Sequence, residues 1–109
     1  MLTRSRGCFL LAFNALTLTA GAMKDFMDGR QEILNWYSIL PGQIFLVSDN
    51  SVQQLGHLFR TFFPRQLFIV TAVDPQASDG WLPKDVWDFI NQPQPPNMAE
   101  AFERGLGFS

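Results

Sequence analysis

Apolar residues along this chain gather in short unbroken runs separated by polar turns, and one stretch between them has a clear helical period. Gly7–Phe13 (GCFLLAF) is apolar throughout, which predicts a strand covered on both faces. Asn14 to Thr19 reads as a loop, with Thr17 or Thr19 placed to cap the next helix. From Ala20 to Leu34, Met23, Phe26, Met27, Ile33 and Leu34 keep an approximate helical spacing, with a bend or pause expected at Asp28-Gly29. Asn35–Leu40 and Gln43–Ser48 flank the turn signal Pro41-Gly42 and predict a hairpin. Ser51 followed by Gln54 has the spacing of a capping box. Val52, Leu55, Leu58, Phe59 and Phe62 then form one apolar stripe, which Pro64 ends. Leu67–Val73 (LFIVTAV) predicts the last strand. A polar loop from Asp74-Pro75 to Gly80 leads to a short helix over Pro83–Asn91, with Val86, Trp87 and Ile90 turned inward.

This order predicts an α+β fold, a ferredoxin-like βαββαβ sandwich with an added C-terminal helix and an extended tail. Residues 1–91 form the ferredoxin-like domain. Residues 92–109 form a proline-rich linker, Gln92-Pro93-Gln94-Pro95-Pro96, and a short amphipathic tail with one or two turns over Met98–Arg104. No internal repeat is visible.

The patterning has a consequence for partners. Successive strand residues point to opposite faces. Ile44 and Leu46 oppose Phe45 and Val47, Leu67 and Ile69 oppose Phe68 and Val70, and Cys8, Leu10 and Ala12 oppose Phe9, Leu11 and Phe13. Both parities are apolar, so a second face of several hundred Å² needs a cover, at about 25 cal/mol per Å² a gain on the order of 10 kcal/mol before association costs. Phe45, Val47, Phe68 and Val70 are expected to mark that face. A homodimer packed sheet to sheet is the expected cover, with the tail assisting; the chain's own C-terminal segment is the other. The proline-stiffened arm ending in Met98, Phe102, Leu106 and Phe108 could dock on a partner or a sister subunit.

Composition narrows the class. The 109 residues suffice for one core and not two. With 47% hydrophobic and 17% charged residues, and 11 phenylalanines, a disordered chain, a collagen and a coiled coil are excluded. A net charge of −2 disfavours broad phosphate binding. The front of the chain has a secretory grammar: Arg4 and Arg6, the apolar run Cys8 to Ala20, then Ala20-Gly21-Ala22. Asn14 interrupts that run, and a buried strand followed by a loop and helix accounts for it better. The run also falls short of the roughly 20 apolar residues of a membrane-spanning helix. A cytoplasmic protein with no membrane partner is expected, in which a lone Cys8 needs no partner.

Candidate chemistry is sparse. One cysteine and one histidine make neither a disulfide nor a His-rich metal site, so no metal and no cofactor are expected. His57 has no carboxylate or nucleophile at helical spacing and reads as an ordinary surface histidine. Cys8 reads as a buried, inert thiol. Asp49 reads as a carboxylate favouring the start of the Ser51 helix rather than a metal ligand, and Asp85 and Asp88 do the same beside Pro83. Arg30, Arg60 and Arg65, with Lys24 and the aromatic Trp36 and Tyr37, could form a small nucleic-acid surface; solvated helix faces are the plainer reading. No phosphate loop, nucleophile elbow or paired-carboxylate motif occurs.

Three stretches together resemble a known group: Pro41–Asn50 (PGQIFLVSDN), Gln66–Asp74 (QLFIVTAVD) and Gly80–Ile90 (GWLPKDVWDFI). They are similar to the small SinR-like proteins, relatives of the CRISPR adaptation nuclease family and of VapD-type toxin ribonucleases, over roughly residues 7–91. The resemblance implies a ferredoxin-like fold and a sheet-packed dimer. Nuclease relatives carry a metal-holding aspartate just after the first strand, where this chain has Asn14, an amide that supplies no charge. A non-catalytic dimer binding a protein or nucleic-acid partner is therefore expected. The alternative is a metal-dependent endoribonuclease or endodeoxyribonuclease of that family, such as serves in toxin–antitoxin or phage-defence systems.

Overall fold

The computed structural model describes residues 6–93. Four strands, β1 (Gly7–Phe13), β2 (Asn35–Leu40), β3 (Gln43–Ser48) and β4 (Phe68–Ala72), form one antiparallel sheet in the order β2-β3-β1-β4. Three α-helices accompany it: α1 (Ala20–Asp28), α2 (Val52–Phe62) and α3 (Lys84–Asn91). β3 lies between β1 and β2, and β1 lies between β3 and β4, every pair antiparallel. α1 therefore joins two mutually parallel strands across β3, and α2 joins two across β1.

Local chemistry sets the element ends. Thr19 caps α1 through its hydroxyl, which accepts the Ala22 N–H at 3.1 Å. The expected helix to Leu34 stops at Asp28, because Gly29 leaves the helical path and its N–H turns back to the carbonyls of Phe26 and Met27. The capping box is fully formed: Ser51 Oγ accepts the Gln54 N–H at 3.1 Å, and Gln54 Oε1 accepts the Ser51 N–H at 2.7 Å. In the β2–β3 turn Gly42 has φ +77°, and its carbonyl accepts the Phe13 N–H at 2.8 Å. A Cβ there would collide with the Phe13 carbonyl oxygen, so only glycine lets the hairpin close against β1. The loop after β4 holds a short 3₁₀ turn at Pro75–Ala77, opened by Asp74.

The core has two halves, one on each side of the sheet. On one side Phe9, Leu11, Ile44 and Leu46 pack against Met23 and Met27 of α1 and against Leu55, Leu58 and Phe59 of α2. Phe26 ties the two helices together, its ring 5.2 Å from that of Phe62 and 4.9 Å from that of Phe63. On the other side Cys8, Phe45 and Val47 lie beneath Val86, Phe89 and Ile90 of α3. The cover over Phe45 and Val47 is thus the chain's own helix α3 and not a second copy. Phe45 is 9% exposed and Val47 0%.

The assignment of all four marker residues to one face needs correction. Phe68 pairs with Phe13 and Val70 with Leu11, so both point toward α1 and α2 and pack at the margin of the first half-core. Strand parity relative to β1 decides this, and the register is fixed only when the strands pair. The turn expected over Met98–Arg104 and the arm through Met98, Phe102, Leu106 and Phe108 lie outside the described residues.

This packing sets the expected cost of two substitutions. Phe89→Ala removes the ring that rests on Phe45 and Tyr37, and is expected to cost about 3–5 kcal/mol in denaturant unfolding. Gly42→Ala is expected to cost about 1–3 kcal/mol by the same measurement, through backbone strain rather than lost contacts.

Candidate interaction surface

Several of the residues with chemistry to offer are engaged in the fold. Asn14 is exposed at the end of β1, and its Oδ1 accepts the Leu16 N–H at 2.9 Å. Its carbonyl accepts the N–H groups of Thr17 and Leu18. The amide thus builds the turn into α1, a task for which asparagine is well suited. Among the described residues no three His, Cys, Asp or Glu side chains gather.

Asp49 does not cap α2, a role taken by Ser51; it pairs with Arg6, Nε to Oδ1 at 3.1 Å, on the surface. Asp85 accepts the Tyr37 hydroxyl at 2.6 Å and so fastens α3 to β2, while Asp88 pairs with Lys84 along α3. Burial pushes the Cys8 thiol up to about 12, which leaves almost no thiolate at neutral pH. His57 is exposed on α2, where its carbonyl accepts the Thr61 hydroxyl. It lines an open hollow of about 500 Å³ with Arg30, Glu32, Asn50 and Gln54.

The basic residues separate into two kinds. Arg30 is committed: its guanidinium donates to both Glu32 carboxylate oxygens, at 3.1 and 3.0 Å, and lies 4.6 Å from the Phe62 ring centroid. Glu32 is held below its ordinary pKa, first by the Arg30 hydrogen bonds. Arg60 and Arg65 are exposed and form no ion pair among the described residues. They rim a groove of about 710 Å³ between α2 and β4, walled by Val52, Phe63, Phe68 and Val70. Arg65 has φ +67°, the left-handed conformation that lets the chain leave α2 and enter β4.

The aromatic partners expected beside these arginines are elsewhere. Trp36 and Tyr37 belong to β2, at the far edge of the sheet from β4. Trp36 donates to Asp28 at 2.7 Å and carries Lys24 over its ring, and Tyr37 is tied to Asp85. The fold therefore does not assemble Trp36, Tyr37, Arg60 and Arg65 into one stacking surface.

What stands bare is β4. α3 covers the part of this sheet face that holds Cys8, Leu10, Phe45 and Val47, and packs against Val73 just past β4. Leu67 is 82% exposed and Ile69 64%, beside the outer edge of a strand with no neighbour among the described residues. The sequence pattern had not singled out these two. The signals were the polar Thr71 on their parity and the polar pair Arg65-Gln66 leading in, both more natural on a solvent-facing row.

Set against family models, curated proteins and solved structures, the chain matches none. No helix among the described residues is long and apolar enough to cross a membrane.

The Arg30–Glu32 pair makes a pH prediction. A carboxylate whose folded pKa is depressed adds stability above its unfolded value, and the addition is lost as pH falls through the folded value. Glu32→Gln should lower stability near neutral pH by up to about 1 kcal/mol. It should also flatten the acid loss of stability below the ordinary value of 4.5, as followed by urea unfolding across pH.

Proposed function

We propose that this chain is a ferredoxin-like binding module that engages a macromolecular partner through its β4 flank and carries out no covalent chemistry. The single observation that carries this reading is the bare flank itself. Leu67 and Ile69 lie open beside a strand edge with no neighbour among the described residues, while helices cover both faces of the central strands β1 and β3. Exposed apolar residues at an edge mark places where another chain can add.

The ferredoxin-like assignment is supported by the strand order and by the two helices that join parallel strands across an intervening one, the split βαβ pattern. Resemblance to the SinR-like proteins in Pro41–Asn50, Gln66–Asp74 and Gly80–Ile90 supports the same reading. The homodimer expected through Phe45 and Val47 has no surface to use while α3 lies on them, so the partner surface moves to β4. Arg60 and Arg65 beside the groove favour a partner with negative charge near its contact.

A nuclease of the adaptation type would need a cation held near the end of β1, where the Asn14 side chain is engaged with Leu16. Purified protein incubated with labelled RNA or DNA, in Mg²⁺ or Mn²⁺ and in EDTA, is expected to give no metal-dependent cleavage. Cleavage that requires the metal and disappears in Asn14→Ala would overturn the reading.

A further inference from the structure

The outer edge of β4 has no neighbouring strand among the described residues, and its backbone groups have a definite phase. In an antiparallel pair, successive residues alternate between exchanging hydrogen bonds with the neighbour and pointing their N–H and C=O away. Val73 donates its N–H to the Cys8 carbonyl at 2.9 Å, which fixes the phase of that alternation. With the register Leu10↔Thr71 and Ala12↔Ile69, residues 69, 71 and 73 bond inward to β1. The N–H and C=O groups of Phe68, Val70 and Ala72 therefore face outward. Among the described residues only the Ala72 carbonyl has a further contact, a long one of 3.5 Å from the Thr71 hydroxyl.

We propose that a second copy of this chain pairs edge to edge with β4, antiparallel, about a two-fold axis at Val70. The outward groups are spaced evenly around Val70, so this single register satisfies them all. Val70 exchanges both bonds with the partner's Val70, and Phe68 exchanges both with the partner's Ala72, twice over by symmetry. The result is one continuous sheet of eight strands.

Side chains and charges agree with this register. Ile69 stands opposite the partner's Thr71, and the two exposed Ile69 side chains meet diagonally across the axis, each covering the other. Continued past the strand ends, the same register brings Arg65 toward the partner's Asp74, whose carboxylate also accepts the Gln76 N–H at 3.0 Å, so a cation at the start of each strand lies near an anion at the end of the other. Nothing in Leu67–Val73 discourages pairing: it contains no charge and no proline, the usual guards of an edge strand. An unrelated extended peptide could meet the same backbone groups, but would not by construction return an aspartate to Arg65.

This inference rests on the reading of the chain as a binding module, and the two can fail separately. A monomer that shows no metal-dependent cleavage refutes the β4 pairing alone, whereas metal-dependent cleavage refutes the module reading in any oligomeric state.

The test uses the purified full chain. Sedimentation equilibrium at about 1–100 μM is expected to show a monomer–dimer equilibrium. Ala72→Pro removes an outward N–H from an exposed residue and leaves the β1 ladder intact, so it should fold with an unchanged circular dichroism spectrum and dimerise at least tenfold more weakly. Ile69→Cys with Thr71→Cys brings two cysteine pairs into opposition, at a Cα separation of about 4.5 Å, and mild oxidation should trap a covalent dimer. Either single substitution leaves its nearest cysteine on the diagonal, about 7–8 Å away, and should not be trapped. Two results would overturn the proposal: a dimer that the cysteine pair does not capture, or a monomer throughout the range, in which resistance of the Phe68, Val70 and Ala72 amides to hydrogen exchange would assign the edge to another part of the same chain.

Discussion

The structure is governed by one constraint: the central strands β1 and β3 are apolar on both parities, so the sheet has no face it can give to water. α1 and α2 cover the side of Leu11, Ile44 and Leu46, and α3 covers the side of Cys8, Phe45 and Val47. Each of these six side chains is nearly or wholly out of solvent. A fully buried aliphatic side chain is worth about 1.5–3 kcal/mol, whereas a whole domain is held by about 5–15 kcal/mol. Either cover is therefore comparable with the entire stability of the chain, and neither is an accessory.

The remaining features depend on how far those covers reach. α3 has only eight residues and spans part of one face. It ends over the half that holds Cys8 and Val47, and the row through Ile69 and Leu67 lies beyond it. On the other side the separation between α2 and β4 leaves a groove with arginines at its rim. Both openings border β4, so exposed apolar side chains and cationic charge meet on one flank. Opposite, β2 is occupied: Trp36 is held by Asp28 and Lys24 on one face, and Tyr37 by Asp85 on the other.

Local signals in the sequence were legible where local chemistry decides. The Ser51–Gln54 box, the glycine turn at Gly42 and the unbroken apolar runs located the strands and α2 closely. The two-sided greasiness of the sheet was also legible, and with it the need for a second cover. What covers it was not, because Val86, Phe89 and Ile90 meet Phe45 only after a long excursion through β4 and the polar loop. The sorting of Phe68 and Val70 was hidden for a related reason: parity within one strand is visible in sequence, but its phase against β1 is a property of pairing. The end of α1 was partly legible: a pause was expected at Asp28-Gly29, and the helix stops there at the glycine, although the apolar spacing continued to Leu34. Arg30 looked like a free cation and is an internal strut, since Glu32 and Phe62 become its neighbours only in the fold.

The placement of α3 has a bearing on how the chain is born. Synthesis runs from the amino end, so β1 through β4 leave the ribosome before the helix that shields half of their sheet. For that interval Cys8, Phe45 and Val47 form an open greasy plate on a nascent chain, the kind of transient surface on which chaperones act and misassembly begins. A segment of eight residues that follows all four strands thus sets when the sheet of the newborn chain is covered.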